Sequence, residues 1–207
     1  MRRLTPSGFT VARRRPILRA EMRILSLAIV LLFGLCAPFG VAADQSDARL
    51  GDLFERLKTT QQPQEAQLVE FVIWQIWTEA NDPATDTLMG LGLQAMQGGN
   101  LAGALELFDA VTTRKPEFAE GWNKRATVLY LLGAYEESAK DVDKTLKLEA
   151  RHFGALSGLG LINMALERDE AAIEAFEAAL KIHPHLPGVK ANLETLKQRA
   201  RKKGRAI

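Results

Sequence analysis

The chain has 207 residues, of which 47% are hydrophobic and 25% are charged, and its formal net charge is +2. The hydrophobic fraction is typical of globular chains. Seven of the 27 basic residues, but only one of the 25 acidic residues, precede residue 24. The remainder holds 20 basic and 24 acidic residues, so the composition excludes a protein that is basic throughout.

The first 43 residues have the order of a secretory signal. Residues 1–23 are basic, residues 24–37 form a 14-residue apolar run without a charge, and Pro38 and Gly40 follow. Residues 41–43 are small, as a signal peptidase requires, and the apolar run is short for a membrane-spanning helix. We therefore expect cleavage after Ala43 and a periplasmic or secreted mature protein.

Other interpretations of this segment stay open. Residues 1–21 can be an upstream extension of the reading frame, because Met22 and Arg23 alone supply a basic start. Arg14 and Arg15 loosely match a twin-arginine signal. A lipidated Cys36 is disfavoured by the large Leu35 before it. An uncleaved segment from residue 24 to residue 43 would anchor the protein in the inner membrane, facing the periplasm.

The mature chain from Asp44 onward contains no cysteine. This excludes a disulfide, a thiolate metal site and a cysteine nucleophile.

Residues 44–84 are predicted to form a helix pair. Leu50, Leu53, Phe54 and Leu57 share one helical face, and a second apolar helix ends at Asn81-Asp82-Pro83. We expect Trp74 and Trp77 in the second helix to pack under the helices that follow, as an N-terminal cap. The alternative is an aromatic platform for a ligand.

Residues 85–186 contain an internal repeat with a period of 34 residues. Apolar residues at helical spacing make a helix hairpin in each unit, and residue size mostly persists from unit to unit. The units are 85–118, 119–152 and 153–186. The corresponding positions are Leu91, Arg125 and Leu159; Gly92, Ala126 and Gly160; Ala104, Ser138 and Ala172; Phe108, Val142 and Phe176; Pro116, Ala150 and Pro184.

This period and pattern resemble the tetratricopeptide repeat family. The resemblance implies an all-α, right-handed solenoid of helix hairpins, which binds other proteins in a concave groove lined by the first helix of each hairpin. The mapped positions that we expect to contact a partner are Met89, Leu93, Met96, Asn123, Thr127, Tyr130, Ser157, Leu161 and Met164. Their apolar, methionine-rich character suits an apolar or helical peptide.

One specialisation of the family grips a C-terminal carboxylate with Lys, Asn and Arg. The matching positions here hold Met89, Leu93, Lys124, Gly154 and Gly158. Only Lys124 could serve in such a clamp.

Residues 187–207 are predicted to form a C-terminal capping helix with a basic tail. Val189, Leu193, Leu196 and Ala200 form a narrow apolar stripe that would close the repeat core. We expect the basic side chains that follow to be a solvated helix end. Weak contact with anionic lipid or an acidic partner is the second interpretation, and nucleic acid is the last.

Catalytic and cofactor motifs are not evident in the sequence. The three histidines, His152, His183 and His185, lie near repeat boundaries, where we expect local hydrogen bonds rather than zinc ligation. No strand precedes a glycine-rich phosphate loop, and no histidine has an evident serine partner. The sequence therefore predicts no enzyme, metal or cofactor.

The function predicted from the sequence is a scaffold or chaperone-like adaptor in the cell envelope, which binds another protein. The alternative is a membrane-tethered envelope assembly factor.

Overall fold

The computed structural model describes residues 45–205, which form nine helices and no strand. The predicted signal peptide and its alternatives lie outside the described residues. The helices are α1 (Leu50–Thr59), α2 (Pro63–Thr78), α3 (Pro83–Gln97), α4 (Leu101–Arg114), α5 (Ala119–Leu131), α6 (Tyr135–Leu148), α7 (Phe153–Ala165), α8 (Asp169–Ile182) and α9 (Pro187–Arg205).

The ends of these helices follow from local residue chemistry. Asp82, Asn100 and His152 each accept a hydrogen bond from a backbone N–H in the first turn of α3, α4 and α7, which satisfies a donor that has no partner in the helix. Gly99 and Gly133 adopt positive φ angles of 77° and 79° in the turns within the first two hairpins. Such angles favour glycine.

Each predicted repeat is one hairpin, formed by α3 with α4, α5 with α6, and α7 with α8. The close approach within the third hairpin is between Gly160 and Phe176. A Cβ atom added to Gly160 would lie 2.3 Å from the Phe176 ring, and one added to Gly92 would lie 2.6 Å from Phe108. The small residue makes room for a ring that fills the hairpin core.

The middle hairpin is held to the first by an ion-pair cluster. Arg125 makes two 2.7 Å hydrogen bonds to Asp141 and one of 2.7 Å to Asp109 on α4. These carboxylates raise the pKa of Arg125. The equivalent residues of the outer repeats, Leu91 and Leu159, are apolar.

Helix α9 closes the C-terminal end as its stripe predicts. Val189, Leu193 and Leu196 pack in one cluster with residues of α8 that include Phe176. Ala200, the last residue of the predicted stripe, is exposed. In the basic tail, Lys197 pairs with Glu177 and Arg199 with Asp169, while Arg201 and Lys202 are exposed. Side chains beyond Lys202 lie outside the described part of the chain.

The N-terminal helix pair is not placed as expected. Trp74 and Trp77 do not pack under the first repeat, because both rings contact His152 and Phe153 at the boundary between the second and third repeats. Trp77 is 1% exposed, which also excludes it as an open aromatic platform. The hydrophobic core of α1 and α2 includes Phe153 and continues to Ile182.

We call residues 45–78, which hold α1 and α2, the strap, because they contact every boundary between consecutive units. At the first boundary, the Gln45 amide donates to the Glu117 carbonyl at 2.6 Å. At the second, the Trp77 ring stacks on His152 with a 4.1 Å centroid distance. The contacts at the third boundary are a 3.1 Å pair between His183 Nε2 and Glu70 and a 2.9 Å hydrogen bond between His185 Nε2 and the Thr60 carbonyl.

Candidate partner-binding groove

A pocket of about 210 Å³ lies between the first helices of the second and third repeats. Helices α5 and α7 form its sides, and α6 supplies two residues beneath them. We call it the groove pocket. It is lined by Asn123, Ala126, Thr127, Tyr130, Ser138, Val142, Gly154, Ser157, Gly158, Leu161 and Ile162. Five predicted partner-binding residues meet there: Asn123, Thr127, Tyr130, Ser157 and Leu161.

The lining contains no charged side chain, and the hydroxyl groups of its serine and threonine residues already donate hydrogen bonds. Thr127 and Ser157 each donate to the backbone carbonyl one turn earlier, and Ser138 donates to the Ala126 carbonyl. The Asn123 amide donates to Glu120. The walls therefore offer mainly methyl groups, methylene groups and the Tyr130 ring to an occupant.

Two glycines of α7 shape the groove pocket. A Cβ atom added to Gly158 would meet nothing within 4 Å, so the space above this residue is open. A Cβ atom added to Gly154 would lie 2.6 Å from Trp74. The strap thus borders the groove pocket at Gly154, a feature that the local sequence around Trp74 does not encode.

The other predicted partner-binding residues lie outside the groove pocket. Met89 is 2% exposed and belongs to the core that joins the first hairpin to Val128, so the expectation that it faces a partner is not met. Leu93 and Met96 are partly buried against the same core, and Met164 against the C-terminal core. These long side chains are buried, fully or in part, because neighbouring helices stack against them.

A buried polar network stands beside the groove pocket. Glu120 is 1% exposed, and its oxygens lie 2.8 Å from Lys124 Nζ and 2.9 Å from His152 Nε2. His152 Nδ1 accepts from the Ala155 N–H, so the ring proton is on Nε2 and donates to Glu120. Burial alone would raise the pKa of Glu120, but Lys124 and the hydrogen bond from His152 outweigh burial and lower it.

The same network includes Lys124, the one side chain suited to a carboxylate clamp. Lys124 is paired with Glu120, and its Nζ lies 5.1 Å from the centre of the Trp74 ring. A ligand carboxylate would have to compete with a buried partner for this cation.

The described residues hold neither a metal cluster nor a membrane-spanning helix. Between residues 45 and 205, no group of three or more His, Cys, Asp or Glu side chains is arranged to hold a metal ion. No helix in that part of the chain is long and apolar enough to cross a bilayer.

Comparison with known proteins identifies the family. A tetratricopeptide repeat model matches residues 89–148 and 137–187. A TPR repeat-containing protein of Rhizobium etli is 33% identical over 143 residues, which cover 69% of this chain and 70% of that protein. The chain belongs to the tetratricopeptide repeat family.

Solved TPR domains share the fold. The Sgt2 TPR domain from Aspergillus fumigatus gives a TM-score of 0.57 at 24% identity, covering 59% of this chain and 83% of that domain. The first TPR domain of Spaghetti (RPAP3), solved with an HSP90 peptide, gives 0.55 at 19% identity, with 56% and 92% coverage. The TPR2B domain of yeast Sti1, solved in a complex with pHsp70, gives 0.52 at 17% identity, with 56% and 97% coverage.

Proposed function

We propose that this TPR protein is a non-enzymatic scaffold or chaperone-like adaptor of the cell envelope, which binds a segment of another protein in its concave groove. The observation that carries this proposal is the uncharged groove pocket between α5 and α7. One solved domain of similar fold holds an HSP90 peptide and another is in a complex with pHsp70, which supports a protein segment as the ligand.

The groove pocket suits one large apolar side chain. Its volume of about 210 Å³ is below the range of roughly 300–1,000 Å³ that is typical of small-molecule sites. Uncharged walls whose serine and threonine hydroxyls already donate to backbone carbonyls favour Leu, Met or Phe over a polar anchor. The partner is therefore an extended or helical segment with one apolar anchor for the groove pocket.

An acidic C-terminal tail is a poor ligand for this groove. Lys124 is already paired with Glu120, and the other clamp positions hold Met89, Leu93, Gly154 and Gly158. This protein shares its fold with peptide-bound domains, but we therefore expect it to bind a ligand of different chemistry.

The envelope part of the proposal rests on the basic, apolar and small-residue order of residues 1–43. The alternative is a membrane-tethered assembly factor that keeps residues 24–43 as an anchor. Intact mass of the protein recovered from membrane and soluble fractions separates the two, because cleavage after Ala43 removes the first 43 residues. In either form, exposed Arg201 and Lys202 permit weak contact with an anionic membrane surface.

The test of groove binding is fluorescence anisotropy with short synthetic peptides. One set carries a single Leu, Met or Phe in a polar background, a second set replaces that residue by Ser, and a third ends in an acidic C-terminal tail. We expect only the first set to bind, with weak dependence on salt, because apolar burial is screened little.

Gly158→Leu is the decisive variant. The new side chain enters open space and fills the groove pocket from within, so peptide binding should be lost while the thermal midpoint is unchanged or raised. The double variant Thr127→Glu, Leu161→Glu should also abolish binding. The matched control, Arg201→Gln with Lys202→Gln, should bind as the parent does. Unimpaired binding by Gly158→Leu, or loss of binding in the tail control, would overturn the groove assignment.

A further inference from the structure

The two most exposed large hydrophobic side chains among the described residues lie one turn apart on α2. Leu68 is 68% exposed and Phe71 is 59% exposed. Neither belongs to the core of the strap or to the groove pocket. Their exposure therefore has no role in the packing of residues 45–205 against one another.

Leu68 and Phe71 lie on a continuous exposed face of α2. Gln64, Leu68, Phe71 and Gln75 are all exposed, and their spacings of four, three and four residues are those of a coiled-coil seam. The opposite face of α2 is buried through Ala66, Val69, Ile73 and Ile76. Helix α2 is thus packed on one face and presents a second seam to the outside, which we call the outer seam.

The charges around the outer seam argue against a lipid surface. Helix α2 contains no lysine or arginine, whereas helices that lie on membranes carry cations on their polar face. Its two carboxylates are engaged elsewhere, Glu65 with Arg56 and Glu70 with His183. No charge stands on the seam itself.

The order of residues in the outer seam is symmetric about its centre. In an antiparallel pair of such helices, with a two-fold axis between residues 68 and 71, each Leu68 meets Phe71 of the second copy. Each Gln64 then meets Gln75 of the second copy, and each amide offers both a donor and an acceptor. A face that complements itself is what a two-fold contact between identical chains requires.

We propose that the outer seam is a homodimer contact, in which the α2 helices of two chains pack antiparallel. This surface is distinct from the groove pocket, so the dimer presents two binding grooves. One helical face is smaller than the roughly 800 Å² per partner of a standard interface. The dimer should therefore dissociate on dilution rather than persist at all concentrations.

Sedimentation velocity over a range of concentrations tests the proposal, on the protein as it is recovered from expressing cells. The parent should shift from monomer to dimer as concentration rises. Phe71→Glu should weaken the dimer at least about tenfold, because a carboxylate would lose water in the contact. Leu131→Glu is the matched control, since Leu131 is 52% exposed on α5, and it should dimerise as the parent does.

Charge pairing supplies a check that loss of folding cannot imitate. Leu68→Glu alone should weaken the dimer, but the double variant Leu68→Glu, Phe71→Lys should recover it, because the new carboxylate of each chain then faces the new ammonium group of the other across the axis. A parent that is monomeric throughout, or a dimer as sensitive to Leu131→Glu as to Phe71→Glu, would overturn the proposal. A monomeric parent that floats with anionic vesicles unless Phe71 is changed would assign the seam to lipid instead.

Discussion

Gly160 packs directly against the ring of Phe176 within the third hairpin, where a Cβ atom at residue 160 would lie 2.3 Å from that ring. The same pair recurs in the first hairpin as Gly92 with Phe108, whereas the middle hairpin has Ala126 with Val142. A larger residue on the first helix thus accompanies a smaller residue on the second. The smaller Val142 thus leaves room for the methyl group of Ala126, as close-packed interiors require.

Gly160→Ala should destabilise the protein in spite of the better helix propensity of alanine, because overpacking costs about 1–3 kcal/mol against a propensity gain of about 1 kcal/mol. Combined with Phe176→Val, which reproduces the middle hairpin, the total loss should be smaller than the sum of the two single-variant losses, because the smaller side chain makes room for the new methyl group. The denaturant midpoint of unfolding measures both effects. Gly158→Ala is the control: the space above it is open, so its midpoint should not fall. Equal midpoints for the two alanine variants would contradict this account of the hairpin.

Arg125→Leu should destabilise the protein although it restores the residue type of the outer repeats. Its partner Asp141 is 4% exposed, and a buried acceptor left without a partner costs about 1–3 kcal/mol, or more when charged. The double variant Arg125→Leu, Asp141→Ala should recover most of the loss, because the third repeat holds Leu159 and Ala175 at these positions. Free energies of unfolding for the four proteins complete a double-mutant cycle. Simple additivity would show that the two side chains do not act as a pair.

The buried carboxylate of Glu120 should contribute to the acid sensitivity of folding. Its pKa in the folded protein is lowered from the usual value of 4.5, so its stabilisation is fully present above that value and is lost as pH falls through the folded pKa. Glu120→Gln should be less stable at neutral pH, and its urea midpoint should change less than that of the parent below about pH 4.5. The exposed Glu174 gives a control, because Glu174→Gln should keep the parental pH profile. Identical profiles for parent and Glu120→Gln would rule out this role.

The repeat region could be predicted because the contacts that define it join residues close together in the sequence. Hairpins, turn glycines and the capping stripe of α9 depend on contacts within one unit or between consecutive units, and the 34-residue period displays them directly. The burial of Met89 was harder to predict from the sequence, since the same face of α3 serves both the groove and the packing against α5. Only the packed structure shows that the core takes Met89.

The placement of the strap could not be read from the sequence. Gln45 bonds a carbonyl 72 residues away, Glu70 meets His183 at a separation of 113 residues, and Thr60 meets His185 at a separation of 125. The apolar faces of α1 and α2 indicate that they need a covering surface, but no local pattern says which one. Trp74 was consequently missed as the border of the groove pocket.

The strap changes how this repeat protein should fold. Ordinary arrays have only neighbour contacts, so their units can form and be lost nearly independently. Here the core of α1 and α2 is completed by Ile182 and Leu186, which lie near the C-terminal end of the described chain. Contacts between residues so far apart in the chain slow folding, because the entropy cost of closing the intervening segment comes before the contacts form. We therefore expect α1 and α2 to complete their packing only after the third repeat has been synthesised. The whole array should then fold in a single cooperative step.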